Sequence, residues 1–261
     1  MNIVRVMGGL GNQLFQYAFG RVVEECSKFP THYNTSWYNI LRVPPRPYIL
    51  YKFQLQIQAT AQLLPRKVTE KVGYELPPLY SDGKFFNGYW QNPDLYSLKL
   101  VEEFRQNFHV KPELYTPEFK EWRDKIRSCN AVALHVRRGD YLIHPNHLVL
   151  PLQYYQNALM YLDAMRKDII VFIFSDDLDW CAEHFEDCYF VELPEDYLEF
   201  ELMRECKHFI TANSTFSWWA AYLSLNGIVI APKKWWRNSV NGHAVYEKRM
   251  LREDWMHINL S

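Results

Sequence analysis

The 261-residue sequence has no run of 18 or more apolar residues, the minimum for a membrane-spanning helix. Its opening, Met1-Asn2-Ile3-Val4-Arg5, enters a strand pattern and lacks the layout of a signal peptide. A cytoplasmic location is expected, unless an anchor stands outside this sequence, with peripheral attachment at the inner face of the membrane as the alternative. The five cysteines (Cys26, Cys129, Cys181, Cys188 and Cys206) form neither a Cys-x-x-Cys pair nor a Cys/His zinc spacing, which predicts free thiols in a reducing compartment. There is no excess of either charge: 29 Lys and Arg against 30 Asp and Glu leave a formal charge of −1. A global positive field for nucleic acid or an anionic membrane is therefore excluded, and any basic group that matters acts locally. Internal repeats and low-complexity tracts are missing as well.

What is present suits an α/β enzyme. The length fits one large domain or two small ones. Hydrophobic residues make up 48% and charged ones 23%, while 9 Trp, 18 Tyr and 16 Phe raise the aromatic share to 16%. Most such rings fill cores, and some line sugar sites.

Ile3 to Met7 reads as a buried strand, Gly8-Gly9-Leu10-Gly11 as a tight turn and Leu14 to Glu25 as a helix. From Phe29 to about Pro78 the prolines at 30, 44, 45, 47 and 65 predict loops and short helices. Phe85 to Trp90 reads as a strand, Pro93 to Phe108 as a helix, and Glu118 to Arg127 as a further helix leading to a domain join near Ser128. Beyond it, strands at Ala131 to His135 and Ile169 to Phe174 flank a helix at Gln153 to Arg166, with later strands at Phe209-Ile210 and Gly227 to Ala231. Strands separated by helices imply a parallel, doubly wound sheet.

Four motifs carry chemistry. Gly8-Gly9-Leu10-Gly11-Asn12-Gln13 lets backbone approach a ligand and aims helix amides at a phosphate or sugar. It lacks the third glycine of a dinucleotide fingerprint and the Gly-Lys-Ser/Thr ending of an NTPase loop, so a structural turn explains it equally well. His135-Val136-Arg137-Arg138-Gly139-Asp140-Tyr141 ends a strand, at the carboxyl edge where open α/β sheets bind ligands. Its arginines suit a diphosphate, since the guanidinium fork matches phosphate oxygens; a surface ion-pair cluster is the plainer reading. Phe174-Ser175-Asp176-Asp177 offers carboxylates to a base or ribose, or else an ordinary helix cap. Asp177-Leu178-Asp179 also spells an Asp-x-Asp metal pattern, but Asp179 heads a helical stretch and so short a match is common by chance. Ala212-Asn213-Ser214-Thr215-Phe216-Ser217-Trp218-Trp219 places small polar groups at a helix start, an anion cradle.

Together, Gly8 to Ala18, His135-x-Arg137-Arg138-Gly139-Asp140-Tyr141, Phe174 to Asp177 and Asn213 to Trp219 resemble the α-1,2-fucosyltransferase family. Gly88-Tyr89-Trp90-Gln91 and Ala231-Pro232-Lys233-Lys234-Trp235 support the match, which spans nearly the whole chain and is least informative from Phe29 to Pro78. The resemblance implies a GT-B fold, two Rossmann-like domains facing across a cleft. Residues 1–128 would form the acceptor side, 129–239 would bind the GDP-sugar, and 240–261 would be a tail packing back on the first domain. The implied reaction moves L-fucose, with inversion, from GDP-β-L-fucose to the 2-hydroxyl of a terminal β-galactoside, with no metal or other cofactor.

By the same resemblance, His135 and Asp176 or Asp177 contact the guanosine. Arg137 holds the β-phosphate, and Arg138 assists it or pairs with Asp140. Thr215 and Phe216 close the diphosphate and fucose pocket, Asn213 and Ser214 belong to the donor site, and Asn12 and Gln13 meet the acceptor. Asp140 is the first choice of base and Asn12 the second, where it would only orient the hydroxyl while the leaving phosphate takes the proton. Competing readings keep the fold but use another GDP-sugar or hydroxyl, or keep the cleft as a non-catalytic carbohydrate- or nucleotide-binding protein. The Asn-x-Ser/Thr sequons at Asn34, Asn213 and Asn259 read as chance matches.

Overall fold

The computed structural model describes residues 1–39, 47–70, 79–224, 227–237 and 243–260. The loops expected around Pro44 and Pro45 and at 71–78, and the start of the tail at Val240, lie outside the described residues.

The chain divides into two units, the first Met1–Lys111 with Asn241–Met250, the second Pro112–Val240 with Leu251–Ser261. In the first, β1 (Asn2–Arg5), α1 (Leu10–Ser27), β2 (Thr31–Asn34), β3 (Ala59–Thr60), β4 (Arg66–Thr69), β5 (Lys84–Asn87) and α2 (Leu98–Asn107) follow in order. The five strands form a parallel sheet ordered β3-β2-β1-β5-β4. Burial drives the arrangement: Ile3 and Val4 of β1, Leu14, Phe15, Ala18 and Phe19 of α1, and Phe86 of β5 are all inaccessible to solvent. Phe19 stacks on Trp90 at 4.2 Å between centroids.

Helix α1 starts four residues earlier than its periodicity predicts. Gly9 takes an extended N-cap conformation without a side-chain cap, and Gln13 N–H donates to the Gly9 carbonyl at 3.0 Å. Leu10 to Gln13 therefore form the first helical turn, and the tight turn shrinks to Gly8 and Gly9. Strands β2, β3 and β4 fall in the stretch expected to hold loops and short helices, beside 3-10 turns at Ser36–Asn39 and Leu50–Lys52. They are too short, at two to four residues, to show a period of two.

The second unit runs α3 (Pro117–Arg127), β6 (Asn130–Val136), α4 (Gly139–Ile143), α5 (Leu152–Met165), β7 (Ile169–Ser175), α6 (Leu178–His184), β8 (Cys188–Val191), α7 (Asp196–Glu205), β9 (His208–Ile210), α8 (Thr215–Leu223) and β10 (Val229–Pro232). Helix α9 (His243–Met250) returns to the first unit, where it packs near Pro93–Leu95, and β11 (Met256–Ile258) closes the second. The sheet order β11-β10-β9-β6-β7-β8, parallel throughout, places β6 near the centre. Val132, Leu134, Tyr154, Ala158, Leu162, Ile173, Ile210 and Ile230 form its core.

Helix α3 belongs to this unit, which puts the partition near residue 112 where the sequence suggests 128. Its buried Phe119 and Ile126 are the reason, because they pack toward α7 and β6, and Arg127 forms a two-pronged ion pair with Glu205 on α7. Strand β8, which the sequence does not announce, carries partly exposed residues at an edge.

Candidate active-site residues

In the second unit the register of β6 against β7 does most of the positioning. His135 lies beside Phe174 and Val136 beside Ser175, so the residues that follow, Arg137 and Arg138, emerge beside Asp176 and Asp177. The ion pairs obey that register: Arg137 Nη1 lies 3.0 Å from Asp176 Oδ2, and Arg138 Nε donates to Asp177 Oδ2 at 2.8 Å. Asp176 also accepts from the Arg138 backbone N–H at 2.8 Å. Gly139 makes room for it, since a Cβ there would stand 2.4 Å from Asp176 Oδ2.

Arg137 is held a second time by Asp140, Nη2 to Oδ1 at 2.5 Å. Burial works against its charge, but the Asp176 and Asp140 carboxylates more than offset that and raise its pKa. The guanidinium is thus fixed by two carboxylates before any ligand arrives, as preorganised electrostatics requires. Arg138 pairs with Asp177, not with Asp140, which corrects the internal pairing considered from the sequence. Its guanidinium carbon sits 4.1 Å from the Trp180 ring centroid, a cation–π contact. Asp177 caps α6, accepting from Trp180 N–H at 3.2 Å, and so combines the cap and ion-pair roles. No group of three or more potential metal ligands occurs among the described residues.

His135, Asn213 and Ser214 turn inward. His135 is buried, its Nδ1 2.9 Å from Ser217 Oγ, and burial, with help from Arg137, pushes its pKa down to about 3. It is a neutral ring that touches the Phe216 side at 5.7 Å between centroids. Asn213 donates from Nδ2 to the carbonyls of Leu148 (2.9 Å) and Trp235 (2.7 Å), tying two loops together, and its own carbonyl accepts from the Tyr141 hydroxyl at 3.0 Å. Ser214 caps α8 by accepting from Phe216 N–H at 3.3 Å. Asn213 and Ser214 thus scaffold the turn that opens α8. Arg137, Arg138, Asp140, Asp177, Thr215 and Phe216 are partly exposed and Asp176 is exposed, a charged edge beside the N-terminus of a nine-residue helix. Trp180 is the addition that sequence reading missed; its signal is its place three residues after the capping Asp177.

In the first unit the turn after β1 gathers mainly amide and hydroxyl groups, next to Arg5, which ends β1 and donates from Nη1 to Asn87 Oδ1 at 3.1 Å. Gly8 adopts φ +81°, and its carbonyl accepts from the Tyr38 hydroxyl at 2.9 Å and Gln13 Nε2 at 3.1 Å. Gln13, fully buried, also donates to the Pro47 carbonyl (2.8 Å) and accepts from Ile49 N–H (2.9 Å). Both amide donors are thereby taken, so Gln13 braces the loop and does not offer the acceptor contact the sequence suggests. Gln16 does the same for Met7 N–H (2.8 Å) and the Gly88 carbonyl (3.3 Å). Asn12 stays partly exposed and accepts from Gln91 Nε2 at 2.7 Å.

The model of the family described as glycosyl transferase family 11 matches residues 1–259. The chain belongs to glycosyl transferase family 11. Among relatives of this family 11 chain, an α-1,2-colitosyltransferase of Escherichia coli is 29% identical, over 96% of this chain and 98% of its own length. A galactoside α-(1,2)-fucosyltransferase of Mus musculus is 36% identical over 110 residues, 38% of this chain and 29% of the mouse protein. Among solved structures, the fucosyltransferase NodZ from Bradyrhizobium superposes with a TM-score of 0.56 at 13% identity, covering 87% of this chain and 94% of NodZ. That likeness, with the two parallel α/β sheets, shows a GT-B-type fold. No helix among the described residues is long and apolar enough to cross a membrane.

Proposed function

We propose that this family 11 chain transfers L-fucose from GDP-β-L-fucose to the 2-hydroxyl of a terminal β-galactoside, with inversion and without a metal. The observation that carries the reading is Arg137, held by Asp140 and Asp176 at the carboxyl edge of the second sheet in a chain that matches the family from end to end.

The chemistry asks for such a group. The bond from the anomeric carbon to the β-phosphate oxygen breaks, leaving an oxocarbenium-like sugar and an anionic diphosphate, and a bond forms to the acceptor oxygen, whose proton departs. A fixed guanidinium lowers the barrier by meeting charge as it develops on the leaving group. The positive N-terminal end of α8, at Thr215, adds to it. Arg138, Asp177 and Trp180 form the proposed nucleoside end of the donor site. Asp140 is the proposed base, and Asn12 orients the acceptor.

The first test is GDP release from GDP-fucose with lactose as acceptor and excess EDTA present, the product linkage being read by NMR. Acceptor-dependent release giving an α-1,2 linkage is the expected outcome. Turnover that appears only on adding manganese would overturn the metal-free proposal and return attention to Asp177 and Asp179. The colitosyl relative favours a second reading in which the donor sugar is colitose, which lacks the 3-hydroxyl of fucose. GDP-colitose in the same assay decides between them through the ratio of kcat/KM values.

A further inference from the structure

We propose that Gln91 is a positioning residue that fixes the orientation of the Asn12 amide and, through it, of the acceptor hydroxyl. The proposal rests on the reading above that Asn12 meets the acceptor.

An asparagine amide has a donor end and an acceptor end, exchanged by a half-turn, so whatever bonds one end decides what the other presents. Gln91 Nε2 donates to Asn12 Oδ1 at 2.7 Å from 79 residues away in sequence. That bond occupies the carbonyl end and commits Asn12 Nδ2 to the side of the Gly8 turn. Gly8 accommodates it, because a Cβ at Gly8 would lie 2.9 Å from Asn12 Nδ2. In this orientation Asn12 acts as a donor toward an acceptor oxygen.

Stability alone gives no reason for the arrangement. Gln91 is only 5% exposed, and its Oε1 is buried with no hydrogen-bond partner among the described residues, an unfavourable state that an apolar side chain of similar size would avoid. Trp90, immediately before it, is a large buried residue held at φ +55°, in the left-handed region that a bulky side chain rarely enters. Three contacts enforce that backbone. The Glu70 carboxylate accepts from the N–H groups of Tyr89 (2.7 Å) and Trp90 (3.0 Å), Gln16 holds the Gly88 carbonyl, and Phe19 stacks on the indole. A strained loop that ends in a half-satisfied buried amide is the kind of local cost retained where a site needs it.

The test compares Gln91→Met, Gln91→Glu, Asn12→Ala and the Asn12→Ala/Gln91→Met double variant. Gln91→Met should melt at or above the parent temperature, bind GDP as the parent does, and lose about tenfold to a hundredfold in kcat with the acceptor. Gln91→Glu, which offers no donor to Asn12 Oδ1, should lose more. On the Asn12→Ala background Gln91→Met should cost nothing further; losses that multiply would overturn the proposal, as would a lower melting temperature with kcat intact. The side-chain amide signal of Asn12, identified by its disappearance in Asn12→Ala, should move in Gln91→Met whether or not the protein turns over. A stationary signal overturns the proposal by itself. Parent protein without transfer activity but with a shifted signal would instead count against the proposed function.

Discussion

The two sheets end in edges of different chemistry. In the second unit the strand ends carry Arg137, Arg138, Asp140, Asp176 and Asp177, bonded into one ionic cluster. In the first, Arg5 ends β1, helix α1 after the Gly8 turn brings Asn12, Gln13 and Gln16 to the Tyr38 hydroxyl, and Glu70, after β4, clamps backbone. Both clusters grow from the same architecture, parallel strands ending in turns that open helices, so the difference lies in side chains alone. Fixed charge suits a partner that gains negative charge during reaction. Neutral amides suit hydroxyls, which need orientation more than charge.

If that division is right, breaking the ionic edge should have the largest consequence. Arg137→Ala is expected to slow transfer by about 10²–10³-fold, the loss typical of one preorganised donor. Initial rates at saturating acceptor check it, and a loss below about threefold would remove Arg137 from the leaving-group role. In the amide-rich edge the weak point is geometric. A Cβ at Gly88 would stand 2.4 Å from Glu70 Cβ, so Gly88→Ala should destabilise the protein by about 1–3 kcal/mol as the clamp is forced aside. Its denaturant midpoint should fall, and acceptor KM should rise while GDP affinity holds. Equal damage to GDP affinity would mean that the two edges are not functionally separate.

The smallest effect per step is in pH. His135 has an ordinary pKa of 6.5 when unfolded and about 3 when folded, so between those values the unfolded chain binds a proton that the native state refuses. Its contribution is complete above about pH 6.5 and declines toward pH 3, with a slope of at most about 1.4 kcal/mol per pH unit. Urea melts from pH 7 to 4 should show this decline, and His135→Gln should flatten it. An unchanged profile in the variant would assign the acid sensitivity elsewhere.

The comparison also shows which features were open to sequence reading. The sequence places strands β6 and β7 and helix α5 within a residue or two at each end, because the strands are mostly apolar runs and α5 buries Tyr154, Tyr155, Ala158 and Leu162 at helical spacing. Short edge strands such as β3 and β8 carry no such pattern. The sequence reads helix α3 with nearly its true bounds but before the domain join, since its amphipathic spacing reveals that it packs but not against what. Among the site residues, the dense clusters at 135–141, 174–177 and 213–216 were visible because their residue types are chemically specific. Gln13 reads as a ligand contact in the sequence because the same amide serves a ligand or a loop equally well, and only the positions of Gly8, Pro47 and Ile49 decide between them.

By itself, then, the sequence determined the alternation of strand and helix, the parallel sheets, the family and the segments that bear chemistry, all of which depend on residue type and local spacing. Tertiary structure alone decided the partners: Arg138 with Asp177 and Trp180, Glu70 with the backbone at Tyr89 and Trp90, and Gln91 with Asn12. These pairings join residues 39 positions apart for Arg138 and Asp177, 19 and 20 for Glu70 with Tyr89 and Trp90, and 79 for Asn12 and Gln91. They follow from strand register and loop packing, which are set by the burial of the whole sheet and not by any neighbouring residue.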